Sequence, residues 1–108
     1  MSTARETVST PLACVPGAIP TADRPAHFAL AARLFGDASR ERCALPDGYA
    51  FRFEPDALEQ VARFVANERK CCPFLTFTIA LAAGGGPLWL QLTGPVGTRE
   101  FLDAELAG

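Results

Sequence analysis

The chain has 108 residues, a length that fits one domain rather than two. Apolar residues make up 49% and charged residues 20%, an ordinary globular composition able to bury roughly 60–70% of the surface of its unfolded chain without staples. Ten Lys and Arg against twelve Asp and Glu leave a formal charge of −2, which argues against a nucleic-acid partner. No apolar run approaches the ~18 residues that span a bilayer, and the N-terminus lacks the apolar core of a signal peptide. These features exclude membrane, secreted-scaffold and disordered readings, and neither nucleic acid nor membrane is expected as a partner.

Residues 1–20 have no clean period and end in Cys14-Val15-Pro16-Gly17-Ala18-Ile19-Pro20, where two prolines and a glycine disfavour a regular element. They read as an extended N-terminal arm, laid over a single domain of residues 21–108 by Val15 and Ile19. Thr21 or Asp23 can cap a first helix with Pro25 in its first turn, and its apolar pattern runs through Phe28, Ala31, Ala32, Leu34 and Phe35. Gly36 either stops that helix or marks a weak point in a longer one reaching about Arg42.

Leu45-Pro46-Asp47-Gly48 is a turn signal. Tyr49, Phe51 and Phe53 then alternate with polar or small residues, as in a strand with one buried face. Pro55-Asp56 opens a second helix with a stripe of Leu58, Val61, Ala62 and Val65 and Phe64 beside it. Pro73 ends it at or before Cys72. Leu75, Phe77, Ile79 and Leu81 share one face of a second strand, Gly84-Gly85-Gly86-Pro87 turns the chain, and Leu88, Leu90 and Leu92 form the apolar face of the returning strand. Gly94-Pro95 breaks it, and a short helix carries Phe101, Leu102 and Leu106.

The expected fold is α+β: a two-layer sandwich in the order α-β-α-β-β-α, with helices on one face of a three-stranded, mainly antiparallel sheet. The open face would carry Arg52, Thr76, Thr78, Trp89, Gln91 and Thr93. A tryptophan there points to a homodimer interface.

Among the four cysteines, Cys71 and Cys72 form the most specific feature, in Glu68-Arg69-Lys70-Cys71-Cys72-Pro73-Phe74. Within a continuing helix vicinal side chains lie ~100° apart, so they can turn to one side only where the helix stops, and Pro73 supplies the stop. Thiolates are soft ligands. Glu68, near the edge of the stripe, can order the thiols, accept a proton from one or supply a harder ligand; beside a three-cysteine site it would stand outside the ligand set. Cys14 on the arm completes a three-cysteine, thiolate-rich site suited to mercury, arsenic(III) or similar ions rather than to structural zinc, which wants four ligands.

Three alternatives stay open. The cysteines can be small core hydrophobes in an interaction module that works through Trp89. They can form a disulfide, although a vicinal one is strained and a reducing cytosol opposes it. They can be redox-active: Arg69 and Lys70 favour thiolate, but the helix C-terminus and an ionised Glu68 oppose it. Cys43, in a charged loop-like stretch, reads as incidental, and His27, the sole histidine, as solvated or hydrogen-bonded. No Ser-His-Asp set can be argued, because nothing flags a nucleophilic serine, and the glycine triplet reads as a turn rather than a phosphate loop. No catalytic residue is assigned, and whether the chain is an enzyme stays open.

The strings Asn67-Glu68-Arg69-Lys70-Cys71-Cys72-Pro73-Phe74 and Gly86-Pro87-Leu88-Trp89-Leu90-Gln91-Leu92-Thr93-Gly94-Pro95, followed by Glu100-Phe101-Leu102, resemble a family of small uncharacterised bacterial proteins. The resemblance implies a bacterial cytosolic protein and no particular fold or activity. A looser similarity to mercury-responsive regulators, which use three cysteines, adds weight to thiophilic-metal binding, although nothing here corresponds to their DNA-binding part. The expectation is a small cytoplasmic protein that holds a soft metal or metalloid ion through Cys71 and Cys72, completed by Cys14.

Overall fold

A computed structural model describes residues 12–107. The first eleven residues of the expected arm, and the terminal Gly108, lie outside that range. The fold is α+β, with helix α1 (Arg24–Arg33), strands β1 (Glu41–Leu45) and β2 (Gly48–Phe53), helix α2 (Leu58–Cys71), strands β3 (Thr76–Leu81) and β4 (Leu88–Thr93), and helix α3 (Thr98–Ala107). The order is therefore α-β-β-α-β-β-α.

The sheet has four strands rather than three, in the order β1-β2-β4-β3 with every neighbouring pair antiparallel. The extra strand is β1. Its sequence, Glu-Arg-Cys-Ala-Leu, shows no alternation because it is an edge strand: Glu41, Arg42 and Ala44 are exposed, and only Cys43 and Leu45 are half-buried. Pairing with β2 through the Pro46-Asp47 turn, not burial, makes it a strand. The long version of the first helix fails for the same reason. After α1 the backbone widens into one π-helical turn, Leu34–Ala38, and is extended by Ser39.

Cross-strand register puts Tyr49 opposite Leu92, Phe51 opposite Leu90 and Phe53 opposite Leu88, so all six share one face. That face is buried, and the core continues into Leu30 and Leu34 beside α1 and into Val61 and Phe64 of α2. Phe35 joins the layers: its ring meets Phe51, Phe53 and Phe64 edge-on at centroid distances of 4.8, 6.1 and 5.1 Å. Each fully buried side chain of this size contributes about 1.5–3 kcal/mol relative to exposure.

Edge strand β3 is less covered than its pattern promises. Leu75 is buried, but Ile79 and Leu81 remain 37% and 50% exposed. They face the same way as Leu90 and Leu88, their partners in the sheet, beyond the reach of the core. On α1, Phe28 is 50% exposed instead of lying in the stripe. The buried face is His27, Leu30 and Leu34; of these only Leu34 belongs to the expected pattern, while Ala31 and Phe35 are partly buried against the core. The two hairpins meet at Gly48, where a Cβ would lie 1.9 Å from the Leu92 carbonyl oxygen. Close approach of backbones, as much as the turn, requires glycine there.

Candidate functional site

The site is built on α2. Its buried residues run Val61, Phe64 and Cys71, continuing back to buried Ala57, and this 4-3-then-7 spacing leaves Glu68 on the same face between Phe64 and Cys71. Leu58, assigned to the stripe from sequence, is instead at the surface. The helix closes with the Cys72 N–H donating to the Glu68 carbonyl at 2.7 Å. Cys72 itself leaves helical geometry, at φ −118° and ψ 78°, because Pro73 disfavours the helical region for the residue before it. That break turns the Cys72 sulfur toward the same side as the Cys71 sulfur.

The arm supplies the third sulfur. The Val15 N–H donates to the Cys71 carbonyl at 2.6 Å, a short 3-10 turn spans Pro16–Ala18, and Ile19 is completely buried. The Arg24 guanidinium donates to the Ile19 carbonyl at 2.9 Å, tying the arm to the start of α1. Held this way, Cys14 forms a disulfide with Cys72, with the two Cα atoms 4.5 Å apart, a normal span for such a bridge. Cys71 keeps a free thiol, and all three sulfur atoms lie within 4.8 Å of one another. Cys71 and Cys72 are buried and Cys14 is half-buried.

Glu68 and His27 complete the cluster. One carboxylate oxygen, Oε1, is 2.8 Å from His27 Nε2, and the other, Oε2, is 3.2 Å from Cys72 Sγ. Glu68 retains only 17% side-chain exposure, and burial pushes its pKa above the usual carboxylate value, while the His27 contact pulls the other way and the charge of Glu105 adds to the rise. The proton inventory follows the sulfur chemistry. A bridged Cys72 has no S–H, so its contact with Oε2 is a hydrogen bond only when Glu68 is protonated and donates. Once the bridge opens, the Cys72 S–H donates to Oε2 instead.

His27 is 2% exposed, and its ring stacks on Phe64 at 5.5 Å with a 12° interplanar angle. Its other ring nitrogen, Nδ1, is buried and has no hydrogen-bond partner among the described residues. Burial also raises the Cys71 thiol pKa, reinforced by the charge of Glu68. Cys71 therefore stays protonated at neutral pH, which disfavours a resting nucleophile, whereas a soft ion displaces the proton on binding.

The structure thus gathers Cys14, Cys71, Cys72 and Glu68. Cys43 and Trp89 lie elsewhere. Cys43 sits on β1 near Glu41, and Trp89 is half-buried on β4, in register with Arg52 and Ala80 on the sheet face away from the core. Two features escaped the sequence reading. The bridge joins Cys14 to Cys72 across 58 positions, a pairing that the vicinal Cys71-Cys72 motif does not suggest. His27 is hydrogen-bonded, the second of its two expected settings, but its burial beside the cysteines was not expected; its place three before Leu30 and seven before Leu34 is the signal for it.

Fold and site together define a small α+β protein with a buried three-sulfur cluster, one of whose sulfur pairs is bridged. No family model, curated protein or solved structure matches the chain. Among the described residues no helix is long and apolar enough to cross a membrane.

Proposed function

We propose that this chain is a cytoplasmic trap for a thiophilic metal or metalloid ion of the mercury(II) or arsenic(III) class, with Cys14, Cys71 and Cys72 as ligands. The reading is carried by one observation: three sulfurs from two separate chain segments lie within 4.8 Å of one another. Trigonal coordination with metal–sulfur bonds near 2.3 Å needs sulfurs about 4 Å apart, so little rearrangement of Cys71 is required. The bridged form is closed to an ion. A low-molecular-weight thiol opens it, the Cys14–Cys72 bond giving two thiols while two reductant thiols become one disulfide. Arsenous acid then forms three As–S bonds and releases three waters. Glu68 supports the ligand set by holding Cys72 in place, and His27 fixes Glu68. In a reducing cytoplasm the open form prevails.

The test is titration of the fully reduced protein with arsenite, followed by calorimetry and by the absorbance of As–S bonds. One equivalent is expected to bind, and Cys71→Ser/Cys72→Ser to lose binding. Equal affinity in both proteins refutes the reading.

A second reading, thiol–disulfide exchange, is favoured by the bridge itself with a third thiol beside it. It expects catalytic turnover of a disulfide substrate in the presence of a dithiol. The raised pKa of Cys71 weighs against it, as does the position of the pair at a helix C-terminus.

A further inference from the structure

A groove of about 310 Å³ opens beside the cluster, between α1 with its π-helical turn, α2 and α3. Its walls include Phe28, Phe35, Phe64, Gly36, Glu105 and Glu68. Glu68 belongs to both places, because its Oε2 lies 3.2 Å from Cys72 Sγ. Three aromatic rings and small residues make most of this wall apolar, with the two carboxylates on its α2 and α3 side, and the volume is ample for one aromatic ring, since an apolar cavity of about 150 Å³ already holds benzene. A bare ion leaves such a groove unused.

We infer that the groove receives the organic substituent of a monosubstituted arsenic(III) species, an aryl arsenical, whose arsenic is held by Cys71 and Cys72. The inference rests on the ion-trap reading and narrows its ligand. An arsenic bearing one carbon has two exchangeable positions rather than three, so two sulfurs satisfy it and the carbon takes the place that Cys14 fills for the inorganic ion. The step balances without a redox change. Two As–O bonds of phenylarsonous acid break, two As–S bonds form, the two thiol protons leave with the hydroxyls as two waters, and arsenic remains trivalent. The ring then extends past Glu68, which swings aside from Cys72, into the space between Phe28, Phe35 and Phe64. Phe28 lines the groove and is 50% exposed, so packing against a bound ring would bury it.

Gly36 offers a clean probe. A Cβ there meets nothing within 4 Å among the described residues and the backbone is not in the left-handed region, so Gly36→Leu has room to add bulk to the groove, and Ala32→Leu adds it from the neighbouring turn of the same wall. Both are first checked by circular dichroism. Reduced wild-type protein is titrated with phenylarsonous acid, methylarsonous acid and arsenite. The phenyl compound is expected to bind at least tenfold more tightly than the methyl compound, and either leucine variant to remove that preference while leaving methyl and arsenite affinities within twofold. Cys14→Ser is expected to weaken arsenite but not the phenyl compound. Arsenite binding without a phenyl preference, or a preference that survives both leucine variants, overturns the groove assignment alone. If none of the three compounds binds, the ion-trap reading falls with it.

Discussion

Removing the Cys14–Cys72 bridge, by Cys14→Ser or by reduction, releases a loop whose ends are 58 positions apart. A cross-link of that span lowers the entropy of the unfolded chain by about 14 cal/mol/K, or about 4 kcal/mol at 25 °C. The folded side changes far less. Ile19 stays buried and the Val15 and Arg24 hydrogen bonds still dock the arm, so the loss falls almost wholly on the unfolded state. Urea denaturation followed by far-ultraviolet circular dichroism measures it. With a slope of about 2 kcal/mol/M, the midpoint should fall by about 2 M. Reduced wild type and Cys14→Ser should coincide, and Cys43→Ser should match the oxidised wild type. Arsenite added to the reduced protein closes the same loop through Cys14 and should restore much of the difference. A shift below about 1 kcal/mol, or a Cys14→Ser variant as stable as the bridged protein, would falsify the assignment of the bridge as a native cross-link.

Glu68 has its pKa raised by folding, so its protonated form is favoured in the native state. Its contribution is fully present below the unfolded value near 4.5 and is lost as pH rises through the higher folded value. Glu68→Gln should therefore gain on wild type as pH climbs from 4 to 8 in urea titrations; a difference independent of pH would remove the buried-carboxyl explanation. Gly48→Ala forces a Cβ into the Leu92 backbone and should cost about 3 kcal/mol, in line with strong overpacking, as read by thermal melting; a neutral result contradicts the close approach of β2 and β4. Leu90→Ala, at a completely buried position, should cost about 2–5 kcal/mol, whereas Leu81→Ala, 50% exposed on the same sheet face, should fall within about 0.5 kcal/mol of wild type. Equal costs at the two positions would mean that β3 is covered after all.

The parts of the fold that were legible in the sequence are those where burial imposes a period. Tyr49, Phe51 and Phe53 alternate because one face of β2 meets the core, and Leu88, Leu90 and Leu92 do so on β4. Strand β1 was invisible because an exposed edge is selected by pairing rather than by burial, and its charges are what keep such an edge from pairing further. Exposure of Ile79 and Leu81 was equally hidden, since alternation says which residues share a face but not how far the helices reach across it. At the site, Cys71, Cys72 and Glu68 could be placed together by helical spacing and a proline stop. The Cys14–Cys72 bond depends on where an irregular arm docks, and nothing periodic encodes that. His27 carried a usable signal in its spacing to Leu30 and Leu34, masked by the more conspicuous Phe28.

The bridge divides the chain unequally between its elements. The segment it closes contains α1, β1, β2 and α2, while β3, β4 and α3 all follow it. Yet β4 is an inner strand, seated between β2 from inside the ring and β3 from outside it. The sheet therefore spans both sides of the cross-link and does not need it in order to hold together. What the bond governs is the docking of the arm upon the end of α2. Making or breaking it should register as a local rearrangement at one corner of the molecule, leaving the four-stranded frame as a fixed reference.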